Sequence, residues 1–184
     1  MGIRSWLVAL VLAVPMTALA ATPEVGQQAP DFTLATPAGT NVDLHSLTSQ
    51  ARTVLVVLRG YPGYQCPFCQ KQLQDFIAHA EDFAKAHAQV LLVYPGPRAA
   101  LDQRAKEFLD NKTLPANMHL VVDPDYRVTN LYGLRWDAPH ETAYPTTFIL
   151  NRGGKVAFRK ISHEHGDRLS GADALQQLAA LPAR

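Results

Sequence analysis

The stretch Thr53-Val54-Leu55-Val56-Val57-Leu58 is a continuous run of β-branched and aliphatic residues, and it constrains the fold more than any other segment. A strand that is apolar on both faces has to be covered on both, as in a central strand of a sheet flanked by helices. After a short loop, apolar side chains recur at three- and four-residue spacing, which is typical of an amphipathic helix. The members of this stripe are Leu73, Phe76, Ile77, Ala80, Phe83 and Ala84. The sequence therefore predicts a strand–loop–helix unit in the middle of an α/β domain.

The remaining patterns supply further strands and helices around this unit. Strand patterns cover residues 90–94, 120–122, 146–150 and 156–161, and helical patterns cover 100–108, 128–133 and 172–181. The last two strands are joined by Asn151-Arg152-Gly153-Gly154, a hairpin turn, and a smaller hairpin is expected around 36–40. This order predicts a mixed sheet with helices on both faces and reactive loops at the C-terminal ends of its parallel strands.

Residues 1–20 differ in character from the rest of the chain. Arg4 is their only charged residue, residues 6–14 are unbroken apolar sequence, and Ala18-Leu19-Ala20 fits an A-x-A cleavage signal. These features predict a secretory signal peptide at 1–20 and one domain at 21–184. The apolar stretch is shorter than the roughly 20 residues of a membrane span, so an uncleaved anchor is the less favoured alternative. We expect an exported protein, periplasmic if the source is a Gram-negative bacterium.

The charge balance excludes one class of partner. Of the 17 lysines and arginines only Arg4 lies in the leader, so 16 remain against 16 aspartates and glutamates. A domain without net charge has no electrostatic footprint for nucleic acid or for an anionic membrane surface. We therefore expect no nucleic-acid partner, and contact with a membrane only through an uncleaved leader.

The loop after the central strand leads into Cys66-Pro67-Phe68-Cys69, which contains the only two cysteines of the chain. A cysteine at a helix N-terminus has a lowered pKa, because the positive end of the helix dipole favours its thiolate. A disulfide between residues so close together constrains the unfolded chain little, so a purely structural role is disfavoured. The motif predicts a redox-active pair that needs no cofactor beyond the Cys66–Cys69 disulfide. Its substrate could be another disulfide, a peroxide or a metal ion.

Several further motifs accompany this pair in a fixed order. They are Gly26-Gln27-Gln28-Ala29-Pro30-Asp31-Phe32-Thr33-Leu34, Asp123-Pro124-Asp125, Leu131-Tyr132-Gly133, Tyr144-Pro145-Thr146-Thr147-Phe148-Ile149-Leu150 and Gly153-Gly154-Lys155. With them, nearly all of the chain beyond the leader resembles the AhpC/TSA (peroxiredoxin-like) branch of the thioredoxin superfamily. The resemblance implies a thioredoxin-like fold and a thiol-dependent redox enzyme.

The resemblance also implies a substrate-binding segment at Tyr144, Pro145 and Thr146. Pro145 would be the cis proline that lies against the dithiol, and the backbone of Tyr144 would pair with a bound peptide. The leading hypothesis is thiol–disulfide exchange, in which Cys66, nearer solvent, attacks and Cys69 resolves the mixed disulfide. The partners would be protein thiols or disulfides.

A peroxidase is the main alternative, with a peroxide as substrate and an upstream thiol as reductant. Peroxiredoxins carry the motif Pro-x-x-x-Thr/Ser-x-x-Cys, in which the last residue is the peroxidatic cysteine. When the motif is aligned from Pro62, Cys69 takes the peroxidatic position, and Cys66 stands where peroxiredoxins have the threonine or serine hydroxyl. Pro145 stands where that family places an arginine. Arg59 and Arg168 are the candidates to supply the missing positive charge near the thiols.

A copper-binding chaperone is the third hypothesis. Sco-like relatives bind copper through two cysteines and a distant histidine, here His140, His163 or His165, and soft thiolates suit Cu(I). Those relatives use C-x-x-x-C spacing, which this chain lacks, so we expect no metal. A c-type haem is excluded because Gln70 stands where C-x-x-C-H requires histidine.

Overall fold

A five-stranded mixed sheet forms the centre of the computed structural model, which describes residues 21–110 and 112–182. The elements are β1 (Thr33–Ala35), β2 (Asn41–Asp43), α1 (Leu44–Gln50), β3 (Arg52–Val57), α2 (Pro67–Ala78), α3 (Ala80–Lys85), β4 (Ala88–Gly96), α4 (Leu101–Leu109), β5 (Met118–Pro124), α5 (Arg127–Leu131), β6 (Thr146–Leu150), β7 (Val156–Ile161) and α6 (Gly171–Ala180). The predicted leader at 1–20 lies outside the described residues. No helix within the described ranges has the length and apolar character needed to cross a membrane.

The strand predicted to be central occupies the middle of the sheet, whose order is β5-β4-β3-β6-β7. It runs parallel to β4, with Val54 opposite Val90, and antiparallel to β6, with Leu55 opposite Phe148. The predicted mixed sheet with helices on both faces is therefore confirmed, as is the small hairpin of β1 and β2. Because β3 and β4 are parallel, the loops that follow them meet at one edge of the sheet.

Alternate side chains of β3 divide the core into two clusters. Val54, Val56 and Leu58, which directly follows β3, belong to the first cluster, together with Cys66 and Cys69 from the next segment. The second cluster takes the intervening residues of β3 and lies on the opposite face of the sheet. It includes Leu55, Val57, Leu91, Val93, Tyr132 and Phe148. Both cysteines are thus part of the hydrophobic core.

Two boundaries differ from the sequence prediction. The stripe predicted as one helix is divided at His79, whose ring Nδ1 lies 2.9 Å from the carbonyl oxygen of Asp75, and α3 begins at the next residue. Strand β4 extends two residues beyond Tyr94 because its pairing with β5 continues to Gly96, opposite Pro124.

Candidate active site

The two cysteines occupy the first turn of α2. Cys66 is the N-cap, and its Sγ accepts a hydrogen bond from the backbone N–H of Cys69 at 3.4 Å. Pro67 occupies the first helical position, where its missing N–H costs no intrahelical hydrogen bond. The sulfur of Cys66 therefore takes the place of the oxygen that usually caps a helix, at the positive end of the dipole.

The loop between β3 and α2 depends on Gly60. Its φ of 75° lies in the left-handed region, and a Cβ there would collide with the carbonyl of Pro95. The N–H of the next residue, Tyr61, donates to that same carbonyl at 2.9 Å. This close approach fixes the loop on the end of β4 and directs the chain toward Cys66.

Both cysteine side chains have an exposed fraction of 0%. Neither cysteine is therefore directly accessible to solvent in this arrangement. The segment after β7 folds back over the first turn of α2, where Gly166 lies beside the ring of Phe68 and Arg168 contacts the sulfurs. Sequence alone could not show this cover, because the covering residues lie about a hundred positions further along the chain.

Arg168 contacts both thiols. Its Nη1 lies 3.4 Å from the Sγ of Cys69, and its Nη2 lies 3.8 Å from the Sγ of Cys66. The guanidinium is held by two further bonds, from Nε to the carbonyl of His165 at 2.7 Å and from Nη1 to Gln72 Oε1 at 3.0 Å. Arg168 thus supplies a fixed positive charge from a segment outside the peroxiredoxin motif.

Arg59, the other candidate, is 2% exposed and also lies at the site. Its Nε donates to Glu141 Oε2 at 2.6 Å, and its Nη1 donates to the hydroxyl of Tyr64 at 2.9 Å. Its guanidinium also interacts with the Cys66 thiol and helps to lower the pKa of that group. The structure therefore brings both predicted arginines to the cysteine pair.

These surroundings separate the two thiols in acidity. The hydrogen bond from the Cys69 thiol makes the largest contribution to lowering the pKa of Cys66, whereas burial raises that pKa. The Cys69 N–H and the charge of Arg168 lower it further, so that the pKa of Cys66 is about 5. Burial raises the pKa of Cys69 well above its ordinary value, and its bond to Cys66 acts in the same direction. At neutral pH Cys66 is a thiolate and Cys69 remains a thiol.

The segment predicted to bind substrate differs from expectation. The Tyr144–Pro145 bond is trans, not cis. The N–H of Tyr144 donates to the carbonyl of Leu134 at 2.9 Å, and its own carbonyl accepts from Thr146 Oγ1 at 2.9 Å. Both backbone groups of Tyr144 are thus bonded within the chain, so the predicted pairing with a bound peptide is not available in this arrangement.

The three histidines considered for copper have other roles. Nε2 of His165 lies 2.8 Å from Glu141 Oε1, the ring of His163 packs against Tyr144, and the carbonyl of His140 accepts from Arg59. Within residues 21–110 and 112–182, no three His, Cys, Asp or Glu side chains are grouped so that they could hold a metal ion.

Sequence reasoning missed Glu141, whose side chain is 11% exposed and contacts both Arg59 and His165. The available signal was Arg59 itself, because an arginine directly after a buried strand needs a carboxylate partner. The sequence did not show which of 16 acidic residues it would be.

A pocket of about 330 Å³ opens beside the thiols. It is lined by Phe68, Lys71, Gln72, Asp75, Gly166, Arg168, Leu169 and Ser170. Among the aromatic residues near the motif, Phe68 and Tyr64 are 46% and 48% exposed, whereas Tyr61 packs against the first core cluster. Arg168 therefore connects the buried sulfurs to a pocket that a small molecule can enter.

Comparison with known proteins agrees with this fold. Residues 25–159 match the model of the AhpC/TSA family. A Helicobacter pylori (strain J99) protein named peroxiredoxin bcp is 35% identical over 136 residues, which is 71% of this chain and 83% of the relative.

Among solved structures, peroxidoxin BcpB from Mycobacterium tuberculosis matches with a TM-score of 0.70 and 24% identity, over 87% of this chain and 99% of that one. A Chlorobium tepidum protein described as the thiol:disulfide interchange protein DsbE matches with a TM-score of 0.64 and 23% identity, over 86% of this chain and 98% of that one. These two likenesses show the fold. The family match and the H. pylori relative show more: the chain belongs to the AhpC/TSA family of thiol-dependent redox enzymes with a thioredoxin-like fold.

Proposed function

We propose that this protein is a thiol-dependent peroxidase that uses Cys66 as its nucleophile and Cys69 as its resolving thiol. The observation that carries the proposal is the Arg168 guanidinium, which contacts both buried sulfurs while Cys66 is held as a thiolate. The thiolate is the reactive form of cysteine. The likeness to a peroxiredoxin from H. pylori supports peroxidase activity, whereas the choice of Cys66 as nucleophile rests on its surroundings.

The proposed reaction uses Cys66 and Cys69, a hydroperoxide as oxidant and external thiol as reductant. The Cys66 thiolate attacks the terminal oxygen of a hydroperoxide, ROOH; an S–O bond forms, the O–O bond breaks, and RO⁻ leaves and takes up a proton. Sulfur has then lost two electrons and carries a hydroxyl as sulfenic acid. The Cys69 thiol attacks that sulfur and gives up its proton, the S–O bond breaks, and water leaves as the Cys66–Cys69 disulfide forms. Two external thiols, or one external dithiol, return the pair to the dithiol form through a mixed disulfide and are themselves oxidised to a disulfide.

Arg168 performs the electrostatic part of this reaction. Negative charge moves from the sulfur of Cys66 onto the departing oxygen, and a fixed guanidinium beside both sulfurs stabilises that charge throughout. The arginine expected at the position of Pro145 is absent, and Arg168 supplies the equivalent charge from the segment after β7. This answers the part of the sequence-based objection that concerns the arginine; the hydroxyl residue of the peroxiredoxin motif is still replaced by Cys66.

Thiol–disulfide exchange with a protein substrate is the second candidate. The same acidified Cys66 favours it, with attack by Cys66 and resolution by Cys69. It requires the covering segment around Arg168 to move, because a protein disulfide is much larger than a peroxide and neither sulfur is exposed. Burial therefore favours the smaller oxidant, and exchange remains as the step that regenerates the dithiol.

A stopped-flow experiment distinguishes peroxidase activity from thiol–disulfide exchange. The reduced protein is mixed with hydrogen peroxide and, in parallel, with a protein disulfide, and the loss of thiolate absorbance is followed. We expect fast oxidation by peroxide and a slower reaction with the disulfide, and neither in the Cys66→Ser variant. Reaction with the disulfide alone would establish exchange as the function, and stoichiometric Cu(I) binding with neither reaction would establish metal delivery.

We further propose that the protein is exported and acts as an antioxidant enzyme outside the cytoplasm, in the periplasm of a Gram-negative source. The pattern of residues 1–20 supports this, as does the start of the family match at residue 25, beyond that segment. N-terminal sequencing of the protein expressed in a Gram-negative host tests it. A mature chain that begins near Ala21 is expected in the periplasm, and an intact chain in the cytoplasm would contradict the proposal.

A further inference from the structure

We propose that Glu141 is a positioning residue that holds the guanidinium groups of Arg59 and Arg168 against the thiol pair. The proposal rests on the proposed function in that it concerns the thiolate of Cys66, the nucleophile of that reaction. Glu141 contacts neither sulfur in the hydrogen-bond network, and it acts through the two arginines.

The first link is direct. Glu141 Oε2 accepts from Arg59 Nε at 2.6 Å, and Oε1 accepts from Arg59 Nη2 at 3.2 Å, so the pair is bidentate. A planar guanidinium held on two bonds has a fixed orientation. Arg59 is 2% exposed, and Glu141 is the carboxylate that balances its charge. Burial opposes ionisation of the carboxyl, but the bonds from Arg59 and His165 hold the pKa of Glu141 below its usual range.

The second link runs through His165. Its ring Nε2 lies 2.8 Å from Glu141 Oε1, and its backbone carbonyl accepts from Arg168 Nε at 2.7 Å. The ring is further fixed between Trp136 and Phe68, at centroid distances of 5.4 and 6.3 Å. One carboxylate thus ties the segment that carries Arg168 to the loop that carries Arg59.

The backbone around Glu141 is itself held in place. Its N–H donates to the carbonyl of Ala138 at 3.0 Å, and its carbonyl accepts from Arg135 Nη1 at 3.2 Å. The hydroxyl of the next residue, Thr142, donates to the carbonyl of Arg59. The carboxylate is therefore presented to Arg59 by a loop that is hydrogen-bonded on both sides of Glu141, as a positioning role requires.

Removal of the Glu141 carboxylate should shift the pKa of Cys66 in opposite directions, depending on whether Glu141 acts by its charge or by positioning the arginines. If Glu141 acts only by its charge, its loss leaves Arg59 uncompensated, and the more positive surroundings lower the pKa of Cys66. If Glu141 positions the arginines, its loss lets both guanidinium groups turn away from the sulfurs, and the pKa of Cys66 rises. A purely structural residue changes the unfolding temperature and leaves that pKa unaltered.

The test measures the pKa of Cys66 from thiolate absorbance in the full mature chain. Cys69 is replaced by serine in every variant, so that the absorbance change comes from Cys66 alone. We expect the pKa to rise by about one unit in Glu141→Ala, the lower end of the effect of an opposite charge on a titrating group. Glu141→Gln should raise it less, because its amide oxygen still accepts from Arg59. Glu24→Gln, which removes the carboxylate of the surface pair with Arg159, is the matched control and should change nothing.

An unchanged or lowered pKa of Cys66 in folded Glu141 variants would overturn the proposal. If Glu141→Ala does not fold, the near-isosteric Glu141→Gln decides the outcome. No peroxide enters this measurement, so failure of the wild-type protein to reduce peroxide would refute the proposed function while the pKa shift still tests the role of Glu141.

Discussion

The two faces of the central sheet are equally buried but differ in what they contain. On one face, Val54, Val56 and Leu58 pack with Cys66 and Cys69. On the other face, Leu55, Val57 and Leu91 pack with aliphatic and aromatic side chains, and neither cysteine belongs to this cluster. One strand thus contributes to the packing around both thiols and to a second cluster on the opposite face of the sheet. The difference indicates that core packing on the first face sets the environment of the thiols.

The largest effect we expect comes from matched truncations in the two clusters. Leu73, four residues after Cys69 in α2, and Leu91, in β4, are each 0% exposed. Replacement of either by alanine should lower the free energy of unfolding by about 2–5 kcal/mol, the usual cost of a buried leucine cavity. Chemical denaturation measures this loss.

The same two variants differ in a second measurement. Leu73→Ala should speed the reaction of Cys69 with a thiol-labelling reagent in the native protein, because it loosens the packing around the buried thiol. Leu91→Ala should not speed this reaction when the two variants are compared at equal free energy of unfolding. Equal labelling rates in both variants would show that the first face does not control access to the thiols.

The next largest effect is expected from Arg168. Arg168→Met keeps the length of the side chain but removes the charge beside both sulfurs, and the peroxide reaction should slow by about 100-fold, the typical loss for one preorganised stabilising group. Arg168→Lys should recover part of the rate, since lysine restores the positive charge but lacks the two guanidinium nitrogens that contact the two sulfurs. Single-turnover kinetics would check this, and an unaffected rate in Arg168→Met would exclude an electrostatic role.

A pH effect on stability should be smaller but specific to the first face. Folding lowers the pKa of Cys66 to about 5, below its unfolded value near 9, so the thiolate stabilises the fold fully above the unfolded pKa. That contribution declines as pH falls from about 9 toward 5. In a Cys69→Ser background, the stability gap between the protein with Cys66 and the one with Cys66→Ser should therefore widen from pH 5 to pH 8. A gap that does not depend on pH would show that folding leaves this thiol unperturbed.

The smallest effect should come from a cation–carboxylate pair outside both clusters. Arg98 donates to Asp125 at 2.7 Å, and both side chains are more than half exposed. Because solvent screens such a pair, Arg98→Gln should leave the unfolding temperature and the peroxide rate unchanged. A clear loss of rate would show that charges beyond Arg59 and Arg168 act on the thiols.

The sequence predicts the scaffold well because local patterns determine it. The apolar run of β3 and the helical stripe after Cys66 lie close together in the chain, and their order is enough to predict the sheet. The site is less predictable, because its charged groups come from distant segments: Arg168 could be named as a candidate but its contact with the sulfurs could not be foreseen, and Glu141 was missed. The cis assignment of Pro145 comes from a family resemblance, and it is wrong because the Tyr144–Pro145 bond is trans.

The identity of the attacking sulfur is the central claim, since the peroxiredoxin register points to Cys69 and the geometry points to Cys66. The most direct test reacts the reduced single variants Cys69→Ser and Cys66→Ser with equimolar hydrogen peroxide in the presence of a sulfenic-acid trap, followed by mass spectrometry over time. We predict rapid trapping at Cys66 in Cys69→Ser and little reaction in Cys66→Ser. Rapid trapping at Cys69, with Cys66 unreactive, would contradict this account.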